Sequence, residues 1–502
     1  MYLLEAARVY ARFVSRLGPF FAETLDAAAC RRILRENLER RAENFLAVLQ
    51  LGVFGHAGSP YRPLLDRAGI AYADCVEWVA SFGVEGTLER LRDAGVWVSI
   101  DVFKGKTGTA KAEGFENPRM LEDFAVMSGG TTGKRRRLSI DLDLLVFEAA
   151  AQYLFFEAQG LLGRPKALWR PAPPGSSGIK NVLRGAKLGA PPERWFNLSG
   201  DRKEEWEWRM LLATAQRIGR RYANAVPELE PTPIGEPGRV VQWLHERRGI
   251  LWAPVTAAVA AARYALEKGI DIEGAVFWAG GEPITRLKRE TIERAGARVV
   301  NGWSLSEAGP IGLGCAKREH DDEIHVMDAK VALITREGNE ILLTSLLPAA
   351  PKLLLNVSLG DTAVMSERRC GCGIEAAGFL RHAHTIRPSG KLTAGGMHFM
   401  NSDLLRLVEE VLPGRFGGSA PDYQFAQVEE GVLLAVDPRL GELDEKAVVG
   451  AVVEYFTKRS SGDAMMVANW QASDILKVLR RKAWVSQAGK TPAVAPMGAW
   501  EL

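Results

Sequence analysis

Residues 126–137 read Val126-Met127-Ser128-Gly129-Gly130-Thr131-Thr132-Gly133-Lys134-Arg135-Arg136-Arg137. Three glycines and three hydroxyl residues sit between an apolar run, Phe124 to Met127, and an alternating run through Leu138, Ile140 and Leu142. This pattern predicts a loop between two strands. Glycines let successive backbone N–H groups curl around an anion, hydroxyls add donors, and Lys134 adds charge. The loop is therefore built to hold phosphate. It is not a Walker A loop, which needs four residues between its first glycine and a Gly-Lys pair followed by Ser or Thr. Here three residues separate Gly129 from Gly133, and Arg135 follows the lysine.

The 502 residues suffice for two or more domains. Charge is balanced at +3, which argues against extended nucleic-acid binding. Five cysteines in so long a chain argue against a disulfide framework and for a reducing, cytoplasmic setting. Met1 to Leu17 carries Glu5, Arg8, Arg12 and Arg16 at helical spacing, as an amphipathic helix does and a signal peptide does not. The longest apolar stretch, Ile250 to Ala262, is interrupted by Pro254 and is too short for a bilayer, so no membrane partner is expected.

Residues 1–95 read as helices, with Leu34, Leu38, Ala42, Phe45 and Leu49 in helical period. Beyond Val96, strands alternate with helices. Strands are expected at Lys166–Trp169, Val240–Leu244, Gly249–Trp252, Gly274–Ala279 and Arg298–Asn301, and helices at Glu204–Tyr222, Thr256–Lys268 and Ile284–Ala295. This alternation predicts an α/β fold with a helix-covered, mainly parallel sheet. Closely spaced strands follow at Ile324–Met327, Val331–Thr335, Ile341–Ser345 and Leu353–Val357, an antiparallel part. The chain divides into a large domain, 1–386, and a small α+β domain, 387–502. Within the large domain, 1–95 is helical, 96–310 is the α/β core and 311–386 is antiparallel.

Three further segments lie at strand ends: Trp278-Ala279-Gly280-Gly281-Glu282-Pro283, Gly302-Trp303-Ser304-Leu305-Ser306-Glu307 and Gly360-Asp361. Glycines admit a flat ring close to the backbone. A carboxylate suits a magnesium ion bound to phosphates. Near the end comes Gln487-Ala488-Gly489-Lys490.

In their order, these segments resemble the motifs of adenylate-forming enzymes, the acyl-CoA synthetase superfamily. The resemblance runs from about residue 40 to 495. Within the superfamily it is closest to phenylacetate–CoA ligases and acyl-protein synthetases, through Ser59-Pro60-Tyr61-Arg62, Gly83-Val84-Glu85-Gly86-Thr87-Leu88, Val102-Phe103-Lys104-Gly105-Lys106 and Leu305-Ser306-Glu307-Ala308-Gly309-Pro310. It implies ATP-dependent adenylation of a small carboxylic acid, followed by transfer to a thiol, most simply that of coenzyme A. A carrier or protein thiol, an amine, or a non-catalytic nucleotide-binding protein are the alternatives; a homodimer is compatible with any of these. The resemblance implies that Ser128, Gly129, Gly130, Thr131, Thr132, Gly133 and Lys134 hold the ATP phosphates. Gly281, Glu282, Pro283, Trp303, Ser304 and Ser306 line the nucleotide, and Asp361 takes the ribose hydroxyls. Glu307 carries magnesium, and Lys490 is the adenylating lysine. Arg387, in Ile386-Arg387-Pro388-Ser389-Gly390-Lys391, falls on the superfamily's hinge arginine, with Ser389 and Gly390 in place of its acids, and Gly396 matches a later glycine.

Cys370-Gly371-Cys372 presents two thiols one residue apart, and Cys315, His320 and His325 precede them. Two or three cysteines with a histidine suit tetrahedral zinc. The expected ligands are Cys315, His325, Cys370 and Cys372, in a structural role. His382 and His384 read as strand surface, and Cys30 and Cys75 as core.

Overall fold

The computed structural model describes residues 2–105, 112–120, 122–127, 137–198, 206–223, 225–305, 307–388, 391–394, 397–428, 431–458, 476–486, 489–495 and 500. The phosphate-loop residues Ser128 to Lys134 lie outside these residues, as do Ser306, Ser389, Gly390, Gly396, Gln487 and Ala488. The loop's flanks are described. The two expected strands, β1 (Phe124–Met127) and β2 (Arg137–Ile140), are present and pair antiparallel.

Twelve strands make one continuous sheet. Its parallel half contains β3 (Lys166–Trp169), β4 (Arg194–Asn197), β5 (Leu229–Pro231), β6 (Ile250–Pro254), β7 (Val276–Gly280) and β8 (Arg298–Leu305). Its antiparallel half contains β9 (Gly309–Gly314), β10 (Ile324–Val326), β11 (Val331–Arg336), β12 (Glu340–Ser345), β13 (Val357–Glu367) and β14 (Arg381–Pro388). The order across the sheet is β11-β12-β13-β14-β10-β9-β8-β7-β6-β3-β4-β5. The two halves join where β8 pairs antiparallel with β9, so the antiparallel part extends the core sheet.

Helices cover both faces of the parallel half. Gly238–Arg247, Val255–Lys268 and Arg286–Arg294 pack on one face through Val240, Leu244, Val259 and Ile292, against Leu251 and Phe277. The opposite face carries Trp252 and Trp278, cross-strand partners packed near Phe155 and Phe156 of the helix Leu142–Ala158. Adjacent residues of a strand point to opposite faces, which accounts for this split. The antiparallel half packs on the N-terminal helices through Phe45, Leu49, Leu88 and Leu333.

Three expectations need correction. Val240–Leu244 is helical: Val240, Val241, Trp243 and Leu244 are buried at the i, i+1, i+3, i+4 spacing of a helix face. Leu353–Leu355 is a buried connection whose backbone is satisfied by the Tyr61 hydroxyl and Ser345 Oγ, and the strand begins at Val357. His382 is fully buried, not surface, because β14 lies inside the sheet between β13 and β10, which sets His382 opposite His325 and beside Glu323.

Beyond Pro388, β15 (Lys391–Ala394) pairs with β16 (Met397–Met400). A separate four-stranded sheet follows, in the order β19-β18-β17-β20. Its strands are β17 (Tyr423–Val428), β18 (Gly431–Val436), β19 (Leu476–Arg480) and β20 (Val494–Ala495), and the helix Glu445–Thr457 covers it through Val448 and Val452. Among the described residues, no apolar cluster contains side chains from both this C-terminal body and the part before residue 388.

Candidate active site

The carboxyl ends of β3, β4, β6 and β7 open on one side of the sheet, the usual place for ligands in open α/β folds. The loop between β19 and β20 is docked there. A Cβ on Gly489 would lie 2.7 Å from Leu198 Cδ1 and 3.3 Å from Pro254 Cγ, so only glycine lets the loop approach so closely. Gly489 also has φ +74°, a conformation open to glycine without strain. Lys490 follows. A Cβ on Gly281 would lie 2.9 Å from Lys490 Cε, 3.1 Å from Nζ and 4.0 Å from Arg170 Nη1. Lysine and arginine thus meet over the bare backbone that ends β7.

The sequence did not single out the residues that hold this loop. Gln424 is fully buried on β17. It donates to the carbonyls of Trp484 (3.0 Å) and Pro492 (2.9 Å) and accepts from the Trp484 N–H (2.7 Å). The Lys490 N–H donates to Ser486 Oγ (3.0 Å), and the Lys490 carbonyl accepts from the Ser486 N–H (2.8 Å). On the large-domain side, Glu282 accepts from the Thr256 N–H (2.8 Å), the Thr256 hydroxyl (2.6 Å) and the Thr491 N–H (2.8 Å). Glu282 therefore binds the start of the helix Val255–Lys268 and the lysine loop together. Pro283, next in the chain, accepts from Lys288 Nζ at its carbonyl.

Asp361 and Trp303 come together: the indole N–H donates to Asp361 Oδ2 at 3.3 Å. The Trp303 ring is buried in the apolar cluster below. Ser304 is exposed on β8, and Glu307 is half-buried just after β8. Burial pushes the Asp361 carboxyl up to about 6; Trp303 and the Lys490 charge resist this, and Glu307 adds to it. Burial also lowers Lys490, with Glu282 resisting and Arg170 reinforcing the shift. Arg170 is lowered to about 9 by burial. Arg387 lies across the β13–β14 ladder from Thr362, next to the Asp361–Pro388 pair. Its Nη1 donates to Asp322 (2.6 Å), which also accepts from the N–H groups of Thr385 and Ile386 (2.8 Å each). Asp322 thus anchors the strand leading to the C-terminal body, a second residue missed by sequence reading.

About the zinc expectation the geometry is specific. Cys315, His325, Cys370 and Cys372 bring one ligand atom each to within 4.8 Å of one another. His325 Nε2 lies 3.2 Å from Cys372 Sγ and 3.6 Å from Cys370 Sγ. Tetrahedral zinc, with Zn–S about 2.3 Å and Zn–N about 2.0 Å, sets its donors roughly 3.5–3.8 Å apart. His325 Nδ1 lies 2.8 Å from the Phe379 carbonyl; a proton held there leaves Nε2 a lone pair directed at the thiols. The donor set fits zinc. His320 stacks on His384 instead of joining it.

No protein-family model and no curated protein matches the chain. Among solved structures, it resembles 2-hydroxyisobutyryl-CoA ligase in the postadenylation state, in complex with R3-HIB-AMP and in complex with 2-HIB-AMP. Each comparison gives a TM-score of 0.56 at 14% identity, covering 94% of this chain and 91% of that one. The chain therefore has the fold of an AMP-forming CoA ligase over nearly its whole length. No helix among the described residues is long and apolar enough to cross a membrane.

Proposed function

We propose that the chain is an ATP-dependent acid–thiol ligase. It joins a carboxylate to AMP, releases pyrophosphate, and passes the acyl group to the thiol of coenzyme A. The observation that carries this reading is the docking of Lys490 against Gly281 and Arg170, at the carboxyl ends of the parallel strands. A lysine brought there from a separate C-terminal body is placed to act on a reacting pair of anions. The likeness to a CoA ligase in complex with acyl adenylates supports the same reading.

In the first step a carboxylate oxygen attacks the α-phosphorus of ATP, and the bond to the bridging oxygen breaks. Two anions must be brought together, so fixed positive charge and alignment supply the catalysis. Lys490, with Arg170 beside it, would screen the carboxylate against the α-phosphate. Ser128 to Lys134 would hold the outer phosphates, and Asp361 the ribose. Glu307, half-buried beside Asp361, offers the hard oxygen that magnesium needs, and the ion when bound would neutralise phosphate charge. In the second step a thiol sulfur attacks the acyl carbon and AMP leaves. That step requires Lys490 to withdraw, which a turn of the C-terminal body near Arg387 would achieve.

The subtype we favour is phenylacetate–CoA ligase-like, supported by the cysteine-histidine cluster and by the segments around Pro60, Glu85 and Lys104. The four zinc ligands would staple the connection after β13 to β9 and β10. Five free cysteines support a reducing, cytoplasmic setting. The test is carboxylate-dependent exchange of pyrophosphate into ATP: formation of AMP and pyrophosphate is expected, and formation of ADP and orthophosphate would refute the reading.

A further inference from the structure

Behind Lys490 lies a group of buried charges that adenylation does not use. Glu148, on the helix Leu142–Ala158, accepts from Lys330 Nζ (2.7 Å) and from Arg184 Nη1 (3.2 Å), one at each oxygen. Both carboxylate oxygens are thereby engaged. Lys180, one turn before Arg184 on the helix Ser176–Lys187, faces Glu148 and Glu307 but has no hydrogen-bond partner among the described residues. Arg184 Nε and Arg170 Nε are buried with no partner. Arg170, Lys180, Arg184 and Lys330 are each less than a tenth exposed. Three cations thus surround one carboxylate, and Arg170 adds a fourth beside Lys490.

Leaving a buried cation unpaired is costly, and a native fold tolerates it where an anion arrives. The setting indicates what kind of anion. The Arg170 and Arg184 guanidinium carbons lie 5.6 and 4.9 Å from the centre of the same Trp252 ring, which stacks on Trp278 at 3.9 Å. Arg170 stands by the adenylating lysine, Arg184 stands by Glu148, and an apolar indole lies within reach of both.

We propose that the acid substrate carries a second, distal oxyanion, as a short dicarboxylate does. This rests on the ligase reading. The reacting carboxylate sits by Lys490 and Arg170, the methylenes lie on Trp252, and the distal group pairs with Arg184 and Lys180. The span of one indole limits the acid to a few carbons. A simple fatty acid of that length would leave Lys180 and the Arg184 Nε without a partner.

The test compares malonate, succinate and glutarate with propionate, butyrate and valerate. Calorimetric binding to the full chain with AMP and magnesium is measured beside ATP–pyrophosphate exchange. 3-Sulfopropionate and 3-phosphonopropionate distinguish a carboxylate from another distal oxyanion. Diacids are expected to bind at least roughly tenfold more tightly than monoacids of equal length, the scale of a lost hydrogen bond to a charged group. Arg184→Met should abolish that preference. Lys180→Met, which leaves both Glu148 ion pairs intact, should reduce it in a chain that still folds. Preferential diacid binding without any exchange would refute the ligase reading and leave the anion site standing. Exchange driven equally by monoacids would overturn the anion site and leave the ligase reading intact. Weakened ATP binding in both variants, with acid preference unchanged, would assign these cations to the nucleotide and also overturn the inference. Binding of none of the acids, with no exchange, would overturn both.

Discussion

The Thr491 N–H donates to Glu282 Oε1 at 2.8 Å, joining the residue after the docked lysine to a carboxylate that also binds Thr256. One side chain thus orders a helix start and receives the C-terminal loop. Glu282→Ala should cost about 1 kcal/mol of stability, the scale for losing a helix cap. It should also lower the adenylation rate roughly tenfold or more, the scale for a hydrogen bond to a charged acceptor. Thermal denaturation and pyrophosphate exchange measure the two effects separately. Unchanged exchange would show that the contact does not hold the loop.

Lys490→Ala should reduce adenylation by at least roughly 10²-fold, the scale for one electrostatic stabiliser of a transition state. Transfer from a chemically supplied acyl-adenylate to coenzyme A should survive. Equal loss of both half-reactions in a folded variant would make Lys490 structural.

Gly489→Val adds a branched side chain where a Cβ alone would be 2.7 Å from Leu198, at φ +74°. Positive φ strains a β-branched residue. The docked loop should be lost while the fold remains, because Gly489 sits outside every regular strand. ATP binding by calorimetry is expected to persist, with exchange reduced roughly tenfold or more.

The raised Asp361 carboxyl gives a pH dependence with a defined sign. Its folded value is about 6, above the ordinary aspartate range. Below pH 6 it takes up a proton and, in the proposed ribose-binding role, would no longer accept hydrogen bonds from both hydroxyls. The kcat/KM for ATP should therefore fall as pH drops through about 6, and Asp361→Asn should remove that limb while lowering the plateau. The stability contribution runs the other way. Between the ordinary aspartate value and pH 6 the folded state binds more protons than the unfolded one, so this group's contribution to stability rises as pH falls.

Metal analysis of freshly purified protein should give about one zinc per chain, the content of a closed structural site. Chelation, or Cys372→Ser, should lower the melting temperature. Metal-free protein with unchanged melting after chelator treatment would rule out the site.

Much of this was legible in the sequence, for physical reasons. Strands β3, β6, β7 and β8 are short apolar runs bounded by glycine or proline, and the parallel sheet follows from their alternation with helices. The cysteine–histidine cluster was legible because two of the chain's five cysteines stand one residue apart. Val240–Leu244 misled because Val-Val and Trp suit a strand as well as a helix face, and only packing decides. Arg170, Lys180, Arg184 and Glu148 carry no motif. Their charges look like those of any helix or strand end until the fold buries them together. Gln424 and Asp322 act through backbone groups far away in sequence, which spacing does not reveal.

Polar contacts cross the seam between the C-terminal body and the rest. Arg263 meets Ser419 (2.7 Å) and Asp422 (3.0 Å), Lys288 meets Glu409 (2.5 Å) and Thr491 meets Glu282, with no shared apolar cluster among the described residues. Water can take over each of these bonds when the bodies part, whereas an oily seam would have to be wetted at a cost proportional to its area. With the turn of the C-terminal body proposed above, such a joint would work as a latch that solvent can lift and reset.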